Sequence, residues 1–414
     1  MSTAVGSVPV RGSVHWSLQV LAVFAVSRVI STLLLLLAAS RQGSSPWSGP
    51  APDYATFVDF WDSGWYHRIY SEGYPTELPL DGDGVVLHNQ WAFLPLYPGT
   101  VRVLDLLTGL GGGAPPPAVS VVAAAAASLV LYRLFRLAAA HRPALAGVAV
   151  VVLSPVSAVL QVPYAESLHL LLLTTALLLV ATGRYYTAMP VALVMCLARP
   201  AGVPFALMVG ILVVHAAWRG RRPAGGAGGR EGAAVQEGAA VQERIRRGLV
   251  PLFLLGVVSS AGALAWPAIA WLVTGRRDAY VDTETAWRGE HLVPFVPWYQ
   301  GAAATVGPVA GALVVAGLLL GVAALFLLPG VRSLGPVLVA WCIGYLLYLA
   351  AFWDPQSSTW RILLPLVPLA LAVSRVRHGR ILWVILPLSV MLQFLWVDRL
   401  WGWTPTTPTG DYPP

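Results

Sequence analysis

Apolar residues fall along this chain in long runs separated by short polar turns. The first run, Leu18 to Ala39, is long enough to cross a bilayer as a helix. Further runs occupy Ala118 to Leu137, Leu145 to Gln161, Ser167 to Thr182, Pro190 to Arg199, Gly202 to Trp218, Leu249 to Val273, Ala303 to Leu328, Val337 to Ala351, Ile362 to Val373 and Ile381 to Val397. Each reads as a membrane helix, the shorter ones tilted, broken or extended by flanking turns. Residues 40–92, after the first run, are instead polar and aromatic. Next comes Trp91 to Leu107, which carries Pro95, Pro98, Arg102 and Asp105 and reads as an interfacial or re-entrant segment. The pattern predicts an all-α polytopic membrane protein of about 11 transmembrane helices.

Composition reinforces the pattern. The 414 residues are 57% hydrophobic and 11% charged, with mean hydropathy +0.69, against roughly 25% charged in a soluble domain. The formal charge of +7 comes from arginine alone, since the chain has no lysine. The arginines gather in turns: Arg133, Arg136 and Arg142; Arg184; Arg219, Arg221 and Arg222 through Arg244, Arg246 and Arg247; Arg332; and Arg375, Arg377 and Arg380. Such clusters are topology signals and do not suggest nucleic-acid binding. They share the cytoplasmic side if Trp91 to Leu107 does not cross. The loop at 40–92, the Tyr164 to Glu166 break, the loop from Asp278 to Gln300 and the turn from Asp354 to Trp360 then face the other way. Cys196 and Cys342 lie in apolar runs and read as reduced packing residues. The length and lack of a short cleavable core make the first run a retained span. Residues 220–247, with the repeat EGAAVQEGAAVQE, read as a flexible or weakly helical cytoplasmic linker within a single domain spanning 1–414.

The chemistry-bearing residues sit in the breaks. Phe57 to Pro75 places three carboxylates among seven aromatic rings. Interfacial belts are rich in tryptophan and tyrosine, so Trp61, Trp65 and Tyr66 read either as anchors or as a binding surface. A helix starting near Trp61 would put Asp62, Trp65 and Ile69 on one face. Asp62, and after it Asp59, is a candidate base for a bound hydroxyl, loop hydrogen bonding being the alternative. His67 and Arg68 are candidate phosphate contacts or simple headgroup contacts. In LQVPYAESLHLL, Glu166 and His169 stand three apart beside Tyr164; either they complete a polar cavity or the helix starts there and leaves Glu166 at the interface. Arg28 lies inside the first run. Arg199 precedes Pro200 in an interrupted run, where it reads as lining a charged cavity or pairing with Glu166. Arg361 opens a run after WDPQSSTW, as a phosphate fork or a snorkelling side chain. Asp282, Glu284, Glu290 and His291 are secondary contacts. No HExxH, cysteine-histidine cluster, Walker A loop or dinucleotide fingerprint is present, so no cofactor is specified; scattered carboxylates leave a divalent cation open.

In order along the chain, FWDSGWYHRIYSEGYP, WAFLPLYP, SPVSAVLQVPYAESLHLL and LARPAG, with a weaker match in TWRILLPLVP, resemble the PIG-V-like mannosyltransferases. These are relatives of the enzyme adding the second mannose to glycosylphosphatidylinositol anchors. The resemblance implies a GT-C-like helical bundle with a catalytic acid in the first non-cytoplasmic loop, a polyprenyl-phosphate-linked sugar donor, typically mannose, and inversion at the anomeric carbon. Asp62 matches the acid of the family's WD motif, and Glu166 and Arg199 match its YxES and arginine-proline patterns. The arginine- and alanine-rich, lysine-free composition suggests a high-GC bacterial source. That favours a bacterial polyprenyl phosphate as carrier and an envelope glycan, lipid or protein as acceptor. The family pattern supplies no role for residues 220–247. A lipid or glycan flippase is the alternative from another class, although no duplicated half carries a second Glu166 and Arg199. Close approach of Asp62, Glu166 and Arg199 beside a lipid-accessible groove would favour the transferase.

Overall fold

The computed structural model describes residues 15–109, 115–220, 231–289, 291–376 and 380–405, and it is helical throughout apart from one isolated bridge between Leu80 and Val86. The chain opens with α1 (His15–Ala39). The first loop then holds two short helices, α2 (Tyr54–Val58) and α3 (Ser63–Glu72), and leads through a 3-10 turn at Gln90–Ala92 into α4 (Leu96–Thr108). Four apolar helices follow as α5 (Pro115–Arg136), α6 (His141–Val152), α7 (Glu166–Ala181) and α8 (Tyr185–Cys196). Next come α9 (Gly202–Gly220), the long α10 (Glu231–Thr274), α11 (Ala279–Arg288), α12 (Pro297–Val306) and α13 (Pro308–Leu327). The chain ends with α14 (Pro329–Arg332), α15 (Pro336–Phe352), α16 (Thr359–Ile362), α17 (Pro368–Arg375) and α18 (Leu382–Trp396), the last running into a π-helical turn at Val397–Trp401.

Five helical segments among the described residues are long and apolar enough to cross a membrane: Trp16–Ala39, Pro116–Arg136, Gly248–Thr274, Pro308–Leu327 and Leu382–Trp401. This corrects the expectation of about 11 full spans. The remaining apolar runs are cut short. Five of them form helices of 10–17 residues, and a 12-residue helix is only ~18 Å long. Local chemistry explains the cuts. Leu145 to Gln161 is not one span, because α6 ends at Val152 and the chain turns through Pro155 into a 3-10 helix at Ser157–Gln161. Ala303 to Leu328 is divided at Gly307, whose φ of 86° ends α12 and lets α13 fold back against it. There Gly311 lies so close to Ala303 that a Cβ would come within 2.7 Å of backbone. Ile362 to Val373 is broken by Pro365 and Pro368. Trp91 to Leu107 folds mainly as the 13-residue α4, which is not among the five. The repeat segment is helical from Glu231 onward, continuous with α10; residues 221–230 lie outside the described residues.

A broken helix leaves backbone groups that must be satisfied internally. Arg28, buried on α1, does this for the α6 break: it donates to the carbonyls of Val152 (3.0 Å) and Ser157 (2.7 Å) and to the Gln161 side chain (3.2 Å). Gln161 in turn donates to Thr32 and Tyr54, and Gln393 on α18 reaches Ser31 and Ser157. The network joins α1, the break and α18.

The bundle has two chemically distinct ends. α5 begins beside the first loop, where Pro116 accepts a hydrogen bond from Tyr97, and ends some 20 residues away at Arg133 and Arg136, a rise of ~30 Å. At that far end Arg375 bonds to Ser333 and to the Ala138 carbonyl, so three arginine-bearing turns meet. The acidic and aromatic loops gather at the near end.

Candidate functional site

The first loop is fixed in place by indole and phenol hydrogen bonds. Trp91 donates to Pro75 O, Trp266 of α10 donates to Trp91 O, Tyr74 donates to Phe93 O, and Asn89 donates to Thr283 of α11. The WD pair at its centre is held most tightly. Trp61 sits at φ 62°, a left-handed conformation that costs a residue with a large side chain of order 1–3 kcal/mol. Its indole donates to Trp401 O (2.6 Å), and the Trp401 indole donates to Phe57 O (2.9 Å). The Asp62 N–H donates to the Tyr164 hydroxyl (3.0 Å). The carboxyl-terminal π-helical turn and the α6–α7 break therefore lock the backbone on either side of Asp62. Sequence reasoning did not select Trp401; its only signal was one tryptophan among several near the carboxyl terminus.

Helix α3 starts at Ser63, two residues later than expected, with Asp62 at its N-cap position. The Asp62 carboxylate does not cap the helix but turns into the bundle, where Oδ2 accepts from Arg361 (2.7 Å). The same Arg361 nitrogen lies 3.1 Å from Glu166 Oε1, and that oxygen also accepts from Arg199 (2.9 Å). Asp62, Arg361, Glu166 and Arg199 thus form one continuous chain of alternating charge, and all but Arg199 are buried. Both carboxylates stand at helix N-termini, Asp62 on α3 and Glu166 on α7, where the helix dipole favours a negative charge. Burial works against the Arg361 charge, yet the Asp62 and Glu166 carboxylates outweigh it and hold the guanidinium pKa above its ordinary range. The guanidinium also lies over the Tyr164 ring at 5.0 Å. Helix α7 begins at Glu166, and the Glu166 side chain is buried in the wall of a cavity rather than left at an interface.

That cavity, of about 200 Å³, is walled by Asp62, Tyr66, Glu166, His169, Arg199 and Arg361, joined by Phe93, Glu284, Trp287, Tyr345, Tyr348 and Gln356. His169 is buried one turn beyond Glu166 with Nδ1 unpartnered, and Arg361 Nε and Glu166 Oε2 are likewise buried without partners. Burial raises the Tyr66 phenol pKa above its usual value, so the hydroxyl remains a donor at neutral pH. A second cavity of about 410 Å³ is lined by Trp47, Trp61, Trp65, Arg68, His88 and Trp287. Asp62 and Trp287 line both.

Several expected residues lie apart from this centre. Asp59 lines neither cavity and pairs with His67 at 3.5 Å. Partial burial raises the Asp59 pKa above the carboxylate norm, with His67 pulling it back. Arg68 lies over the Trp65 ring and 3.8 Å from Glu72, so it reaches the second cavity only. Asp282 is tied to Arg276 (2.7 Å) and His291 is exposed; neither lines a cavity described above, and Glu290 lies outside the described residues. Among the described residues no group of three or more histidine, cysteine, aspartate and glutamate side chains is placed to hold a metal ion. The positive charge between Asp62 and Glu166 is a guanidinium.

No family model and no curated protein matches the chain. Among solved structures it is similar to the oligosaccharyltransferase of Archaeoglobus fulgidus in three forms. With a tethered acceptor peptide containing the NVT sequon, identity is 14% over 93% of this chain and 56% of that one, at TM-score 0.48. In complex with Zn and sulfate, the figures are 14%, 94%, 54% and 0.46, and in the apo form 14%, 93%, 57% and 0.43. The chain spans about half the length of that protein.

Proposed function

We propose that this chain is an inverting membrane glycosyltransferase of GT-C type. It would move a sugar, mannose by resemblance, from a polyprenyl-phosphate donor to an envelope acceptor at the non-cytoplasmic face. One observation carries the reading. Four motif-bearing segments far apart in sequence converge on the ion-pair chain Asp62–Arg361–Glu166–Arg199 at the wall of one cavity. The sidedness rests on the gathering of arginine-bearing turns at the opposite end of the bundle.

The chemistry suits those groups. A phosphodiester-linked sugar gains negative charge on its leaving phosphate as the anomeric C–O bond breaks, and a preorganised guanidinium stabilises that charge in a site shielded from water. Arg361 and Arg199 are the groups for this role, with Glu166 fixing their spacing. The unpartnered Arg361 Nε is a donor still available to a phosphate oxygen. Asp62 lines both cavities and is the base that takes the acceptor proton as the hydroxyl attacks the anomeric carbon from the opposite face. One base and one displacement give inversion without a covalent sugar-enzyme intermediate. His169 and Tyr66 are left to hydrogen-bond the donor sugar.

The test is sugar transfer in membranes from a panel of polyprenyl phosphosugars. Asp62→Asn is expected to fold and bind donor but lose roughly 10³-fold in turnover, within the range for removal of a general base. Undiminished transfer by Asp62→Asn overturns the assignment of the base. Donor movement across the bilayer without transfer by the native chain would instead establish the flippase reading.

A further inference from the structure

We infer that Tyr164 is a positioning residue for the transfer reaction: it holds the Asp62 backbone and the Arg361 guanidinium in place through contacts that leave the carboxylate and the N–H donors free to react. The role rests on the transferase reading. Tyr164 is fully buried and lines neither cavity, so it reaches a bound substrate only through its neighbours. Its hydroxyl accepts from the Asp62 N–H at 3.0 Å and donates to Phe60 O at 3.4 Å. Its ring lies under Arg361, whose guanidinium carbon is 5.0 Å from the ring centroid. The Arg361–Asp62 ion pair at 2.7 Å closes the triangle. One side chain thus touches both members of a pair that stand 299 residues apart in sequence. Tyr164 is itself fixed from three directions. Its carbonyl accepts from Ser120 of α5 (3.3 Å), its N–H donates to Val162 O (2.7 Å), and its ring meets that of Trp401 at 5.3 Å.

What each contact spares gives the arrangement its meaning. Asp62 has to take a proton although it is paired to a cation, and Arg361 has to serve a leaving phosphate although it is paired to a carboxylate. The ion pair therefore loosens as the reaction proceeds. If that bond alone set the geometry, both partners would drift at the moment of transfer. The Tyr164 hydroxyl holds Asp62 by its main-chain N–H and so occupies neither carboxylate oxygen. The ring attracts the guanidinium through its π face and offers no oxygen or nitrogen to compete for an N–H. Both contacts survive the opening of the pair. Such preorganisation is worth much, since misplacing a reacting group by about 1 Å costs on the order of 10²-fold in rate. The two contacts also come from different parts of the side chain, the hydroxyl serving the acid and the ring serving the arginine, so each can be removed in turn.

Tyr164→Phe removes the hydroxyl and keeps the ring, whereas Tyr164→Leu removes both. The test uses the full chain in lipid nanodiscs, with polyprenyl phosphomannose as donor and polyprenyl phosphate as a probe that carries no sugar. Tyr164→Phe is expected to lose about tenfold in single-turnover rate while its affinity for either lipid stays within about twofold of native. Tyr164→Leu should in addition bind both lipids about tenfold more weakly. Ser120→Ala is the structural control: it deletes the bond to the Tyr164 carbonyl and keeps the tyrosine side chain, so its melting temperature should fall while its rate stays within about twofold of native. If Tyr164→Leu does not fold, the contrast between Tyr164→Phe and Ser120→Ala decides alone. A native rate in Tyr164→Phe, or an equal loss of rate in Ser120→Ala, overturns the positioning role and leaves the transferase reading standing. A native chain that transfers no sugar from this or any other polyprenyl phosphosugar overturns the transferase reading itself, and the positioning role with it.

Discussion

Arg28 and Arg361 are both buried arginines in a largely apolar bundle, yet they meet opposite kinds of partner. Arg28 directs its donors to two backbone carbonyls, Gln161 and Ser27, all uncharged, and in doing so closes the hydrogen-bond deficit left where α6 breaks. Arg361 stands between two carboxylates, with Nε unpartnered at the edge of a cavity. In the first arrangement each guanidinium nitrogen has a neutral partner, and its role is structural. The second keeps charge and donor capacity in reserve, at the cost of burying ions that need one another. A buried charge in a membrane protein therefore marks function when its partners are ionised and border open space, and marks a repaired backbone when they are carbonyls.

The comparison can be broken most directly at Arg361. Arg361→Gln leaves the buried Asp62 carboxylate without its partner and Glu166 with Arg199 alone, so a stability loss of about 3–5 kcal/mol is expected together with loss of transfer. Arg361→Lys restores the charge without the planar fork, and should recover most of the stability but little of the turnover. Thermal unfolding in detergent and single-turnover transfer separate the two effects. Equal turnover by the lysine variant and the native chain would show that the fork geometry is irrelevant.

Arg28→Met probes the other side. It strands the Val152 and Ser157 carbonyls and the Gln161 amide, at about 1–3 kcal/mol for each buried group left unsatisfied. The melting temperature should fall while the turnover of the surviving folded protein stays near native. A proportionate fall in turnover at unchanged stability would erase the distinction between the two arginines. A smaller effect is expected at Trp401→Phe. Removing its indole bond to Phe57 O should cost about 1 kcal/mol and loosen the strained Trp61, lowering turnover more than it alters donor affinity. The KM-against-kcat split reads this out.

The smallest effect concerns pH. Partial burial raises the native pKa of Asp59. Between the ordinary carboxylate value, ~3.9, and that raised value, the folded state holds more protons than the unfolded one, so this group makes stability decline as pH rises through the window. Asp59→Asn should flatten that part of the curve of melting temperature against pH and leave the slope across the neutral range unchanged. A steeper slope in the variant would mean that the His67 attraction outweighs burial.

Much of the candidate site was legible before folding. Asp62, Glu166 and Arg199 stand out because ionisable groups beside membrane-length apolar runs are expensive and so few in number. Arg361 was visible too, but its case was evenly balanced against snorkelling, since nothing local distinguishes a side chain reaching water from one reaching an aspartate 299 residues away. Trp401, Tyr345 and Tyr348 had no distinguishing local signal: they belong to helical segments whose patterning reads as ordinary membrane packing. The span count misled for a related reason. Hydropathy sums transfer energies and is blind to the breaks at Pro155, Pro365 and Pro368; the first of them depends on a neighbour, Arg28, that takes the freed carbonyls.

The sequence by itself determined that this chain is helical and apolar enough for a bilayer, and that its polar residues concentrate in a few breaks. Those outcomes follow from composition and periodicity, which act over ten or twenty neighbouring residues. Only the tertiary structure decided which breaks meet, that Asp62 faces two cavities, and that Arg361 joins the WD loop to the start of α7. Coulombic pairing and hydrogen bonding act over a few ångströms, and which groups come that close is set by how the helices pack.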